Sequence, residues 1–346
     1  MRLTLSADGV AERIGLGLGV VPWPLVQTTF GFGVARSIVV ATRLGIFDAL
    51  AEGGLSAGAL AEAIECHPVG TEVLANALVG FDLLAVRDGT YTNARSARRW
   101  LVRGVEGNLV DAVVFLGYCH DLAGGLEESV RTGRVERLHE RNLEPEFWEA
   151  YLKGLASFAR IAGKEIAWRA RLPSGSKTLL DVGGGHGMYS AALCRKNPAV
   201  QATVFDLPPA CRVGRTLVAE AGLTDRIGFR EGDFRTAALG EGYDAVLIFN
   251  VLHNATEGEG RGLVAAAFDA LRPGGKLIIW DAAHLGADKL DASAGWNELF
   301  FFLISGTRTW PEQTMADWVQ GAGFPRPSIS RLWVAPTVLL QATRPA

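Results

Sequence analysis

From Lys177 to Ala282 the chain alternates short apolar runs with helix-period stretches, and this alternation limits the possible folds more than any other feature. The runs are KTLLDVG, ATVFDL, IGFREGDF, YDAVLIFNVLH and GKLIIWDA, with helices predicted from Met188, up to Ala221 and from about Glu259. Strands separated by helices pair in parallel, so these runs predict an α/β, mostly parallel sheet covered by helices on both faces. The tail differs. RPSISRLWVAP and TVLLQATRPA are two apolar runs with a short connection, which predicts an antiparallel pair at the end of the sheet.

Residues 34 to 104 follow another pattern. SIVVATRLGIFDALAEGG has helical spacing (Ile38, Ala41, Leu44, Leu50) and a glycine stop, Ser56 is a candidate N-cap for LSAGALAEAI, and TEVLANALVGFDLL predicts a third helix. Asp88-Gly89 in LAVRDGTYTNA then marks a tight hairpin. Three helices and a hairpin are the order of a winged helix, which raises DNA binding as an alternative. The helix that would read bases, Pro68 to Val79, contains neither Lys nor Arg, so it cannot neutralise phosphates or contact guanine. Arg95, Arg98, Arg99 and Arg103 are expected on a solvated helix face. Dimerisation is the better use of such a module.

The net charge of -3 gives no general affinity for polyanions. Cys66, Cys119, Cys194 and Cys211 are scattered without ligand spacing, which argues against zinc and disulfides and fits a reducing cytosol. The apolar stretch Ile14 to Gly33 follows Asp8 and Glu12 and contains Pro22, Pro24 and Gln27. It is therefore expected to pack against a second subunit in a soluble cytoplasmic protein, with no membrane span. Residues 105 to 170 look helical, and their aromatics (Phe115, Tyr118, Phe147, Trp148, Tyr151, Phe158) are mostly expected in a helical core.

LLDVGGGHGMYS runs strand, glycine turn, helix, an arrangement that brings backbone N–H groups close to a ligand. Gly183, Gly185 and Gly187 give G-x-G-x-G, whereas a dinucleotide fingerprint needs glycine at 188, where Met stands. Asp181, two residues ahead of the first glycine, suits a cationic ligand better than a pyrophosphate. Asp206 could accept both hydroxyls of a ribose, and Asp233 could take an adenine amino group with Phe234 beside the ring. Together these acids at successive strand ends predict S-adenosylmethionine, and Leu207 and Asn250 complete the expected cofactor set. His186, inside the loop, is read as a tolerated loop residue.

LLDVGGGHG, VFDLP, GDF, VLH and LRPGGKLII, in this order, resemble the small-molecule O-methyltransferases of the caffeate and acetylserotonin type and their bacterial antibiotic-pathway relatives. The resemblance spans roughly residues 30 to 346. It implies a Rossmann-like class I methyltransferase sheet, a winged-helix dimerisation domain at residues 1–104, a helical pocket roof at 105–170 and a catalytic domain at 171–346. It also implies an obligate homodimer and a pocket roofed in addition by residues 290 to 310.

By the same resemblance His253 takes the position of the catalytic base and Asp281 that of a flanking carboxylate. This chain departs from the family at two points. Asn254 stands where Asp often follows the histidine, and Thr307-Arg308-Thr309 replaces E-R-T, removing the second carboxylate. Asn297 matches a substrate-orienting position. Asn254, Tyr118 and Phe301 are further acceptor-site candidates, and Phe300, Phe302, Trp296 and Trp310 favour a flat or apolar acceptor. His120 and His284 with a carboxylate would suit iron, but their spacing does not demand it, and no metal is expected. The expected activity is methyl transfer to a hydroxyl, with C- or N-methylation, or adenosylmethionine used without methyl transfer, as alternatives.

Overall fold

The computed structural model describes residues 9–141, 143–332 and 336–346; Asp8 and residues 333–335 of the expected penultimate strand lie outside the described residues. The chain divides into two compact units between Cys119 and His120.

The N-terminal unit begins with α1 (Val10–Gly17) and the long α2 (Trp23–Leu44). Gly45 ends α2 in the left-handed region at φ 77°, so the glycine stop comes before α3 (Ile46–Ala49) rather than after it. Strand β1 (Leu55–Ser56) leads into α4 (Ala57–Ala63), whose first turn is capped by the Ser56 hydroxyl accepting from Ala59 N–H at 3.3 Å. Then come α5 (Pro68–Gly80) and the hairpin β2 (Leu84–Arg87) and β3 (Thr90–Asn93). Asp88 and Gly89 turn the hairpin with φ 49° and 72°, the two positive values that a two-residue turn of this hand requires. β3 lies between β1 and β2 in a three-stranded antiparallel sheet. Ile46, Phe47, Leu60 and Leu78 are wholly buried beneath it. Arg95, Arg98 and Arg99 of α6 (Arg95–Trp100) and Arg103 after it are exposed, on the solvated face expected for them. Arg103 pairs with Asp48 at 3.4 Å and Asp111 at 3.6 Å, and the Arg99 guanidinium lies 4.3 Å from the Trp100 ring centre. α2 is long and apolar enough to cross a membrane by length and composition, and it leaves Leu25, Phe30 and Phe32 exposed.

α7 (Val110–Leu122) contains the division between the units. The C-terminal unit continues with α8 (Leu126–Thr132), a 3-10 turn at Leu138–Glu140 and α9 (Pro145–Arg169). Next follow β4 (Thr178–Val182), α10 (Met188–Lys196), β5 (Gln201–Asp206), α11 (Pro208–Glu220), β6 (Ile227–Glu231) and β7 (Tyr243–Phe249). A 3-10 turn at Leu252–Asn254 precedes α12 (Glu257–Ala270) and β8 (Leu271–Ala282). The chain ends with α13 (Ala292–Ser305), α14 (Glu312–Gly321), β9 (Ser328–Arg331) and β10 (Thr337–Thr343).

The strands order as β6-β5-β4-β7-β8-β10-β9. All pairs from β6 to β8 are parallel, while β10 runs antiparallel to both β8 and β9. Side chains alternate between the faces. Leu180, Val182, Val246, Ile248, Leu277 and Ile279 meet Leu263 and Val264 of α12 and Met315 and Trp318 of α14. Leu179, Leu247, Phe249 and Ile278 meet Ile166 of α9, Leu193 of α10 and Val218 of α11 on the other face. Each wholly buried aliphatic side chain contributes about 1.5–3 kcal/mol, so the sheet is a rigid base. β4 is the point from which the strand order grows in both directions. The carboxyl ends of β4, β5, β7 and β8 there form the crevice where such sheets bind ligands.

Candidate active site

The glycine loop leaves β4 at this crevice. Gly183 has φ 68°, and a Cβ on it would lie 2.5 Å from Val251 Cγ2, so neither the conformation nor the space admits a side chain. A Cβ on Gly184 would sit 2.5 Å from the Asp181 carboxyl carbon. Asp181 is fully buried beneath the loop. Its Oδ2 accepts from the Ser190 hydroxyl at 2.6 Å, and its Oδ1 has no partner. Burial pushes this carboxyl up to about 7. Asp181 thus lies directly beneath the glycine loop, with one carboxyl oxygen left unpartnered among the described residues.

At the end of β5, Asp206 Oδ2 accepts from Gly185 N–H at 2.8 Å and Oδ1 from Leu207 N–H at 2.7 Å. Burial raises its pKa to about 6, opposed by these two donors. Each oxygen keeps acceptor capacity for a diol. Asn250, after β7, holds φ 56°, and its side chain is hydrogen-bonded to the Tyr189 hydroxyl. Phe234 packs on the sheet core. Asp233 is engaged differently from expectation. Arg235 grips both of its oxygens, Nε at 3.0 Å from each and Nη2 at 2.7 Å from Oδ2, and holds the carboxyl below its usual range. His186 is more than tolerated: its Nδ1 accepts from Met188 N–H at 3.0 Å and ties the loop to the start of α10.

His253 lies in the turn after β7, buried, with Nδ1 2.5 Å from Asp281 Oδ1 at the end of β8. Asp281 also accepts from the backbone N–H groups of Leu252 (2.9 Å), His253 (3.3 Å) and Ala282 (2.7 Å). A carboxylate surrounded by donors makes Nδ1 the protonated ring nitrogen and leaves the lone pair on Nε2, which has no partner among the described residues. The Phe301 ring stacks on the imidazole with centroids 3.8 Å apart and planes at 18°. Asn297 sits one turn before Phe301 on the same face of α13, half-buried and without a hydrogen-bond partner among the described residues. Asn254 Oδ1 is buried and equally unpartnered. Tyr118 belongs to the N-terminal unit, where the Arg43 guanidinium lies 5.0 Å from its ring centre.

Thr307, standing where a second carboxylate was expected, donates its hydroxyl to the His253 backbone carbonyl and lies 2.7 Å from the Ser305 hydroxyl. Trp310 Nε1 donates to the Leu252 carbonyl at 3.0 Å. The turn is therefore fixed from two sides. His284 pairs with Glu298 at 2.9 Å and lies 3.1 Å from the Thr309 hydroxyl. Glu298, Thr307, Arg308 and Trp310 line part of an open cavity of about 430 Å³. The glycine loop, Asp206, Asn250, His253 and Asp281 thus share one edge of the sheet.

Sequence reasoning did not single out His139, whose pKa burial lowers, or Glu298, which pairs with His284. Nor did it single out Glu259, whose side chain reaches back to Thr256 N–H at 2.7 Å to complete a capping box. Thr256 and Glu259 at the T-x-x-E spacing were a readable signal for the last; isolated charges in RVERLHER gave none for the first.

Residues 131–325 match the O-methyltransferase domain family, and residues 26–103 match the O-methyltransferase dimerisation domain. The chain is 31% identical to the 3-hydroxy-5-methyl-1-naphthoate 3-O-methyltransferase of Streptomyces sahachiroi, over 89% of this chain and 92% of that one. It is 29% identical to the L-tyrosine C(3)-methyltransferase of Streptomyces lavendulae, over 75% and 74% respectively. Among solved structures, human N-acetylserotonin methyltransferase in complex with SAM superimposes with TM-score 0.83 at 21% identity, covering 99% of this chain and 100% of that one.

Proposed function

Because the chain belongs to the O-methyltransferase family, we propose that it methylates a hydroxyl of an aromatic or apolar small molecule, with His253 as the general base. The observation that carries this reading is the His253 imidazole at the carboxyl ends of the strands, its Nδ1 2.5 Å from Asp281 Oδ1 and its Nε2 without a partner among the described residues. The cofactor is S-adenosylmethionine. The donor set fits it: a buried Asp181 with an orphaned oxygen beneath the loop, two Asp206 oxygens with spare lone pairs, and glycines that keep the loop bare. Bound there, it supplies an electrophilic methyl group.

The chain's own residues do the rest. Gly183 and Gly185 offer backbone, Asp206 and Leu207 the ribose side, Asp233, Phe234 and Asn250 the remaining contacts. Asn297 and Asn254 orient the acceptor with amides that have unused hydrogen-bonding capacity. Nε2 of His253 takes the hydroxyl proton while Asp281 holds the ring and stabilises its charge. A phenol has a pKa of about 10, so such help is worth about 10²–10⁴-fold.

The Thr307 hydroxyl in place of a second carboxylate, together with the likeness to a C-methyltransferase, favours carbon methylation as the second reading. Incubation with methyl-labelled S-adenosylmethionine and a panel of hydroxyarenes separates the two, because NMR distinguishes methyl on oxygen from methyl on carbon. Oxygen-bound label is expected. Label on carbon sinks the first reading, and failure to bind S-adenosylhomocysteine in calorimetry sinks both. The matched dimerisation domain and the exposed Leu25, Phe30 and Phe32 of α2 support a homodimer in the cytoplasm, with α2 at the subunit interface rather than in a membrane. Light scattering is expected to give twice the chain mass.

A further inference from the structure

The 3-10 turn between α8 and α9 carries an imidazole with no role in the reading above. His139 Nε2 lies 3.0 Å from the Tyr151 hydroxyl, and its ring packs on Tyr151 and Trp148 with centroids 5.6 and 6.2 Å away. Its Nδ1 has no partner among the described residues.

Three neighbours locate this group. The turn packs on α13, the helix whose Phe301 covers His253. Leu152, next to Tyr151 on α9, lies 3.5 Å from where a Cβ on Gly185 would stand, so α9 reaches the glycine loop. Arg137 forks onto Glu259, near the start of α12, at 2.8 and 3.1 Å. The other side of the turn is held as firmly, with Glu140 bound by Arg235, which also grips Asp233. Burial, then repulsion from His253 and Arg235, lowers the His139 pKa to about 4, so the ring is neutral near pH 7.

We infer that His139 is the second acceptor-binding imidazole, tied through Nε2 to Tyr151 and donating from Nδ1 to another oxygen on the ring system whose hydroxyl His253 deprotonates. Tyr151 is its positioning residue, donating its hydroxyl proton to Nε2 and so placing the ring proton on Nδ1. The inference rests on the proposed O-methylation, and it narrows the acceptor to arenes bearing two oxygens.

The probes are 2-naphthol and 2,3-dihydroxynaphthalene, each titrated into full-length protein saturated with S-adenosylhomocysteine and each assayed for methyl transfer. Wild type is expected to bind the diol about tenfold more tightly than the mono-ol, the weight of one well-placed hydrogen bond. His139→Phe is expected to reduce that preference to about twofold or less while S-adenosylhomocysteine affinity stays unchanged, because only the acceptor contact is lost. Tyr151→Phe, which keeps the imidazole but unties it, is expected to fall between, with the loss in KM rather than kcat. It also serves should the first variant fail to fold. A wild type without preference, including one that binds neither probe, overturns the inference, as does a preference intact in His139→Phe. Methyl transfer to oxygen of 2-naphthol without any diol preference would sink this inference and leave the proposed function standing.

Discussion

Among the described residues of the C-terminal unit, two imidazoles pair with carboxylates, and the two pairs differ in build. His253 and Asp281 are 2.5 Å apart with side chains 8% and 3% exposed; His284 and Glu298 are 2.9 Å apart and 30% and 25% exposed. Asp281 is held by three backbone donors, whereas Glu298 shares one oxygen between His284 and Thr309. A base must keep one tautomer and one orientation through turnover, which the first pair secures and the second does not. Water screens the second pair, so it adds little to stability. The contrast separates a pair suited to the proposed proton transfer from one that satisfies polar groups beside a cavity.

The contrast can be broken most directly by removing each imidazole. His253→Ala is expected to lower kcat about 10²-fold or more, with cofactor affinity nearly unchanged, and His284→Ala to lower it by less than about threefold. Steady-state kinetics on the true acceptor check this, and equal losses would erase the distinction. Asp281→Ala strands the Leu252 and His253 N–H groups as well as the ring. It is expected to cost about 2–4 kcal/mol in urea unfolding, against at most about 1 kcal/mol for Glu298→Gln.

A pH titration sharpens the picture from the cofactor side. Burial raises Asp181 to about 7 and Asp206 to about 6, so their contribution to stability is present below the unfolded carboxyl value and lost as pH rises through 6 to 7. A cationic ligand above the loop and ribose hydroxyls on Asp206 favour the ionised forms. S-adenosylmethionine affinity is therefore expected to fall as pH drops from about 8 to about 5.5, with protons released on binding that calorimetry in paired buffers counts. The smallest expected effect belongs to Thr307→Val. Losing its bond to the His253 carbonyl is expected to cost about 1 kcal/mol in thermal unfolding, with the shape of the pH–rate profile preserved.

The cofactor side was legible because local rules decide it. Glycine spacing, an acid two residues ahead and acids at strand ends follow from chain direction and sheet pairing, and Asp206 sits where that order places it. The hairpin at Asp88-Gly89 and the cap at Ser56 were readable for the same reason. What escaped depends on contacts between distant segments. No pattern in RVERLHER announces that His139 meets Tyr151 on the next helix. None announces that Arg235 grips Asp233, since a charge two residues away is ordinarily solvated. That Asp181 is fully buried beneath the loop was equally invisible, because burial is a property of the packed loop.

The chain of charges Asp233, Arg235, Glu140, Arg137 and Glu259 joins three stretches of sequence into one brace. Anyone exchanging acceptor preferences between relatives by grafting residues 131–141 would transplant only Arg137 and Glu140. Their two counterions, Glu259 and Arg235, would stay behind in the host together with the Asp233 that holds Arg235, and an ill-matched host would hold the grafted turn at the wrong angle. The position of this turn is therefore inherited as a set of three separated segments, and a chimera that keeps it carries all of them together.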